Sequence, residues 1–142
     1  MSRGVVPGRA IAETLVLEEP LSLWGGVDTT SGRIVEKGHP QCGERLGGRI
    51  LVLDHGRGSS SSSSVLAEML RLGVGPVGIV LRENDSILAI GALVAQALYG
   101  TVCPVVVATE PLAAGLVEID GEKGIVMLAL ENPGEDADNS DH

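Results

Sequence analysis

The sequence predicts an α/β domain of three layers, in which a parallel central sheet carries helices on one face and further β-structure on the other. Three observations predict it. Two stretches of helical periodicity alternate with short aliphatic runs, giving strand–helix–strand–helix–strand, a succession that implies right-handed parallel crossovers. Strands are also expected before and after this block with no helix between them, so they belong on the opposite face. Finally, the 142-residue chain is 44% apolar yet contains no Phe, one Trp and one Tyr. A core of Val, Leu, Ile and Ala suits a sheet covered by helices, and the length suits one domain with a single sizeable core.

Residues 9–17 mix alternation with a continuous apolar finish and read as the first strand. Pro20 and the pair Gly25-Gly26 then interrupt the pattern, with Leu21-Ser22-Leu23-Trp24 between them. Asp28 to Gly32 reads as a turn, residues 33–36 as a short strand, and His39-Pro40 opens another loop. Ile50-Leu51-Val52-Leu53 is an apolar run bounded by turn signals, hence a fully buried strand. His55-Gly56-Arg57-Gly58 and six serines, Ser59 to Ser64, follow it. Val65, Leu66, Met69, Leu70 and Leu72 then recur at helical spacing until Gly73. Residues 77–81 form the next buried strand. Asn84-Asp85-Ser86 can cap a second helix over 87–99, which is apolar on almost every face and therefore expected to be deeply buried. Gly100 ends it, residues 104–108 form a strand, and a hairpin pairs 116–119 with 125–130 around Asp120-Gly121-Glu122-Lys123-Gly124.

A net charge of −9 opposes binding to nucleic acid and to anionic membrane surfaces. Glu131, Glu135, Asp136, Asp138 and Asp141 fall in the last dozen residues without apolar periodicity. Residues 131–142 are accordingly expected to be a disordered tail beyond a folded domain at 1–130. Residues 86–109 carry no charge, but a helix of about 14 residues reaches only about 21 Å against a hydrocarbon core of about 30 Å. No signal-peptide core opens the chain, so a soluble, cytoplasmic protein is expected. Cys42 and Cys103 lie far apart with no C-x-x-C spacing, too few for a zinc or iron–sulfur site. Both are expected to be buried small hydrophobes in a reducing compartment, and no metal site is expected in this chain.

The stretch that carries chemistry is the glycine–serine loop. A flexible linker would serve no purpose between the strand and the helix of one βαβ unit. Gly56 and Gly58 let the backbone approach a ligand closely. The first serines stand at a helix N-terminus, where free N–H groups and about half a positive charge favour anions. The same field favours an ionised serine hydroxyl, and Arg57 could add a bidentate contact to carboxylate or phosphate. The lysine of a Walker loop is absent, which disfavours nucleotide phosphate. Ser62 to Ser64 fall inside the first helical turns and outside this anion pocket. His55 could act as a base or phosphocarrier, against the plainer reading of a strand-end residue, and His39 before Pro40 reads as a loop residue. Trp24 could stack on a ligand, face a partner or fill an edge. Asn84-Asp85 lies where open α/β sheets bind ligands, yet capping already explains it.

At Gly56-Arg57-Gly58-Ser59-Ser60 the sequence resembles the swivel domain of the aconitase-X branch of the aconitase superfamily, and is most similar to its stand-alone archaeal members. The resemblance rests on motifs in order: Leu21-Ser22-Leu23-Trp24-Gly25-Gly26-Val27-Asp28, Gly47-Gly48-Arg49-Ile50-Leu51, the glycine–serine loop, Ile87-Leu88-Ala89-Ile90-Gly91-Ala92 and Pro104-Val105-Val106. It covers roughly residues 3–110. It implies a swivelling β/β/α fold and pairing, as a heterodimer or higher assembly, with a large aconitase-like subunit whose cysteines hold a [4Fe-4S] cluster. In classical aconitases a Gly-x-Gly-Ser-Ser-Arg loop carries the base as its first serine. That position is Ser59 here, with Ser60 as the neighbouring binding residue and, given six serines in a row, the alternative base. Gly58, Arg57, Ser22 and Trp24 complete the implied binding set. The loop arginine of aconitases falls on Ser61, so the resemblance implies a substrate other than citrate, a phosphorylated or carboxylated small molecule. The reaction implied is loss of water from (R)-5-phosphomevalonate, giving trans-anhydromevalonate 5-phosphate. Related aconitase-X enzymes dehydrate hydroxyproline isomers. Two other classes stay open at this level: a phosphohistidine swivel carrier using His55, and a small-anion binding module without chemistry.

Overall fold

The computed structural model describes residues 2–54, 61–110, 112 and 114–129. Its element order is β1 (Ser2–Val6), β2 (Arg9–Val16), a single turn α1 (Leu23–Gly26), β3 (Val27–Asp28), β4 (Arg33–Ile34), β5 (Ile50–Leu53), α2 (Ser61–Leu72), β6 (Gly78–Leu81), α3 (Ser86–Tyr99), β7 (Val105–Ala108), β8 (Leu116–Asp120) and β9 (Ile125–Leu128). Seven strands form one sheet in the order β1-β7-β6-β5-β2-β8-β9, and β3 pairs with β4 separately. The four central strands β2, β5, β6 and β7 run parallel; β1 and β8 flank them antiparallel, and β9 extends β8.

The three layers follow from alternation along the central strands. Leu51, Leu53, Ile79, Leu81, Val105 and Val107 point to the face that α2 and α3 cover. Ile50, Val52, Val80, Val106 and Ala108 point the other way, against Ala12, Val117 and Ile119 of β2 and β8. Strands buried on both faces read as continuous aliphatic runs, which is why the sequence announced β5, β6 and β7 so clearly. The predicted helices-on-one-side, β-structure-on-the-other arrangement is the one observed.

β1 escaped the sequence reading. Ser2-Arg3-Gly4-Val5-Val6 has no clean alternation, and its place is set by backbone pairing with β7. The two ends of the sheet also meet: Ser2 Oγ donates to the Gly124 carbonyl, and Gly121 N donates to the Gly8 carbonyl at 2.7 Å. A Cβ on Gly4 would lie 1.8 Å from the Gly121 carbonyl oxygen, so only glycine permits this seam.

α2 buries Ser62, Leu66, Ala67, Met69 and Leu70 on one face. α3 starts where expected, with Asp85 accepting from Ile87 N and Leu88 N, and Gly100 closes it in the left-handed region. The two helices lie side by side on the sheet. Their close approach depends on Gly91, where a Cβ would stand 2.8 Å from the Ser63 carbonyl oxygen and 3.2 Å from Leu66 Cβ.

The expectation that α3 is buried all round is corrected. Its buried line is Leu88, Ala89, Gly91, Ala92 and Ala95, mostly small residues that let it sit close to α2. The larger side chains turn outward: Ile90 is 50% exposed, Leu93 44% and Leu98 67%. No helix of the described residues is long and apolar enough to cross a membrane.

Candidate active-site edge

Open α/β sheets bind ligands beyond the carboxyl ends of their parallel strands. Here that edge is formed by the ends of β2, β5, β6 and β7. The glycine–serine loop leaves β5 at Asp54, and α2 begins at Ser61. Residues 55–60 lie outside the described residues, so His55, Arg57, Gly58, Ser59 and Ser60 have a place in the chain but no described geometry. The predicted tail, residues 131–142, lies outside them too.

The described surroundings of the loop are well anchored. β5 and β6 pair in register through Leu53 and Leu81. Beyond the pairing, Arg82 N donates to the Leu53 carbonyl and Glu83 N to the Asp54 carbonyl, at 3.1 and 3.0 Å. Arg82 Nε also reaches Asp54 Oδ1 at 2.9 Å, an exposed ion pair that adds little stability. Its interest is positional: a cation is held beside the residue from which the loop departs. The sequence reading singled out Asn84-Asp85 at this edge and passed over Arg82, although the residue after a central parallel strand is the signal that finds it. Asp85 Oδ1 accepts from Ile87 N and Leu88 N in the helix cap, as expected.

Ser22 and Trp24 belong to the segment that follows β2, at the same edge of the sheet. Leu21, Leu23 and Val27 anchor it in the helix-side core, and α1 packs against α2. Ser22 Oγ donates to the Trp24 carbonyl at 2.9 Å. Trp24 and Gly25 leave helical geometry, with Gly25 at φ 88°, and this bend leaves the indole 61% exposed. The structure therefore brings Ser22 and Trp24 beside the helix that begins at the loop.

The serines of α2 differ from one another. Ser61 and Ser64 are exposed, but Ser62 is buried and among the described residues its hydroxyl has no hydrogen-bond partner. His39 is buried and fully used: Nδ1 accepts from Gln41 N at 3.0 Å, and Nε2 lies 3.0 Å from the Glu19 carbonyl, which requires the proton on Nε2. It ties two loops together, in keeping with its reading as a loop residue, and has no nitrogen left for catalysis.

The cysteine expectation holds for Cys103 and is corrected for Cys42, which is exposed. Burial pushes the Cys103 thiol up to about 12 from its ordinary 9.0, so it stays protonated. Among the described residues no three His, Cys, Asp or Glu side chains converge on a metal-sized site. A donor set of one exposed thiol and one protonated buried thiol does not fit an iron–sulfur cluster. A disulfide-exchange reagent at pH 8 should label Cys42 alone in the folded chain and both thiols in denaturant. Labelling of Cys103 at the rate of Cys42 would contradict its burial. The raised value also sets a sign: between pH 9 and about 12 the unfolded thiol has lost its proton while the folded one keeps it, so stability falls as pH rises through this window.

A mixed α/β domain whose mostly parallel sheet carries its helices on one face defines the class. Comparison with known proteins gives the family. Residues 1–128 match the family model "Aconitase X swivel domain", and the chain belongs to that family. It is 36% identical over 132 residues to the phosphomevalonate dehydratase small subunit of Pyrococcus furiosus, covering 91% of this chain and 94% of that one. It is 46% identical over 103 residues to the cis-3-hydroxy-L-proline dehydratase of Pseudomonas aeruginosa, but those residues are 72% of this chain and only 18% of that one. The crystal structure of Thermococcus kodakaraensis aconitase X in its holo-form superposes with a TM-score of 0.80 at 28% identity, covering 91% of this chain and 96% of that one.

Proposed function

We propose that this chain is the small subunit of an aconitase-X-type dehydratase that converts (R)-5-phosphomevalonate to trans-anhydromevalonate 5-phosphate. The observation that carries the reading is the near end-to-end match with a free-standing small subunit. In this reading Ser59, ionised in the field of the α2 N-terminus, accepts a proton from carbon. The C–O bond to the hydroxyl breaks as the C=C bond forms; the departing hydroxide then takes up the proton held by Ser59, leaves as water and so restores the base. Ser60, Gly58 and Arg57 bind the anionic substrate, Ser22 and Trp24 border the site, and the Arg82–Asp54 ion pair lies at the strand end. Departure of the hydroxyl belongs to the partner's side of the site, where the large subunit would carry its [4Fe-4S] cluster.

A second reading has its own support: the 46% identity to the hydroxyproline enzyme favours a subunit acting on a hydroxyproline-type substrate. One experiment separates them. The chain is reconstituted with the aconitase-like large polypeptide encoded in the same genome, and product is followed by NMR with each substrate. Phosphomevalonate should be dehydrated by the complex and by neither subunit alone. Turnover of cis-3-hydroxy-L-proline instead would select the second reading, and turnover by this chain alone would overturn the division of labour.

A further inference from the structure

The outward face of α3 is the least explained surface among the described residues. Ser86, Ile90, Leu93, Val94, Ala97 and Leu98 recur at helical spacing and are all exposed. The stripe carries no charge. Exposed Leu72 and Tyr99 extend it at the far end, at 42% and 45% exposure. At that end α2 supplies a charged border, Glu68 gripping Arg71 through two hydrogen bonds of 2.8 and 2.6 Å. An apolar centre with a polar rim is the anatomy of a protein interface. A helix that is apolar all round needs a cover on every side.

We infer that this stripe docks the large polypeptide of the dehydratase, an inference that rests on the function proposed above. Two observations choose that occupant over a second copy of this chain. In the Pseudomonas aeruginosa and Hypocrea jecorina relatives the matched region makes up 18% and 20% of one much longer chain. There the matched region has a large body joined to it, and under the proposed function that body is a separate polypeptide that docks non-covalently. Second, the stripe is continuous with the candidate site: α3 springs from the carboxyl end of β6, the edge where the glycine–serine loop leaves β5. A partner that closes the site from that edge meets Ser86 and Ile90 first and runs on to Leu98. A net charge of −9 on each copy further disfavours self-association.

The test uses Leu93→Lys and Leu98→Lys, both at exposed positions, with Ile11→Lys as a control. Ile11 is 59% exposed on β2, outside α3, and pairs across the strand with Glu118. Circular dichroism and melting of each variant establish that it is folded. Affinity for the large polypeptide of the same genome is then measured by calorimetry, and the isolated chain is weighed by light scattering. Each α3 variant should bind at least tenfold more weakly while Ile11→Lys binds as the parent does. If the parent binds and the α3 variants bind equally well, the docking face is elsewhere and the proposed function stands. An isolated chain that is dimeric until Leu98→Lys dissociates it would assign the stripe to a second copy. Failure of the parent chain to bind at all would overturn both the docking face and the function on which it rests.

Discussion

Replacing Ser59 by alanine in the reconstituted enzyme is expected to lower turnover at least about a hundredfold, the low end for a general acid–base group. Binding of the ground state should change far less, because the hydroxyl acts on the proton in flight. Ser60→Ala should act chiefly through KM. The neighbouring serines serve as internal controls, and the structure refines what to expect of them. Ser64 is exposed, and its loss should be nearly silent. Among the described residues Ser62 holds a buried hydroxyl without a partner, so Ser62→Ala should keep turnover and raise stability by about 1 kcal/mol. Near-normal turnover for Ser59→Ala would move the base to Ser60. Complete loss in His55→Ala with Ser59 dispensable would point to histidine chemistry instead.

The second large effect is expected far from any reacting atom. Gly91→Val puts a branched side chain where even a Cβ would stand 2.8 Å from the Ser63 carbonyl. α3 cannot yield inward, because Leu88, Ala92 and Ala95 are already packed, so α2 must move at its first turn. Overpacking of this kind costs about 1–3 kcal/mol, measurable by urea unfolding. The displaced turn is the one that follows the loop proposed to carry the base, and a misplacement of about 1 Å can cost about a hundredfold in rate. Turnover should therefore fall well beyond what the lost stability accounts for. A variant that is destabilised yet fully active would show that the start of α2 tolerates displacement and that the helix–helix contact serves stability alone.

Much of this was legible in the chain. Ile50-Leu51-Val52-Leu53 and Val105-Val106-Val107 advertise strands buried on both faces, because both sides of the pleat are apolar. Asp85 and Gly100 mark the ends of α3 through backbone groups a few residues away. The order of motifs from Leu21 to Val106 identified the family. These are local signals: a periodicity, a cap or a loop is encoded within about ten residues of where it acts.

The tertiary structure decided the rest. β1 exists because β7 offers its backbone, a partner about a hundred residues away that leaves no trace in the composition of residues 2–6. Which side of α3 is covered could not be read from a helix apolar on every face. Gly91, Ala92 and Ala95 turn inward because only small side chains fit against α2, and that leaves Ile90, Leu93 and Leu98 outside. Cys42 and Cys103 are the same residue type, yet one is exposed and the other is held neutral by burial. Sequence by itself determined the fold class, the family and the loop where chemistry is expected. Burial and backbone pairing depend on what the rest of the chain brings alongside, so only the folded structure determined which surfaces remain open to a partner.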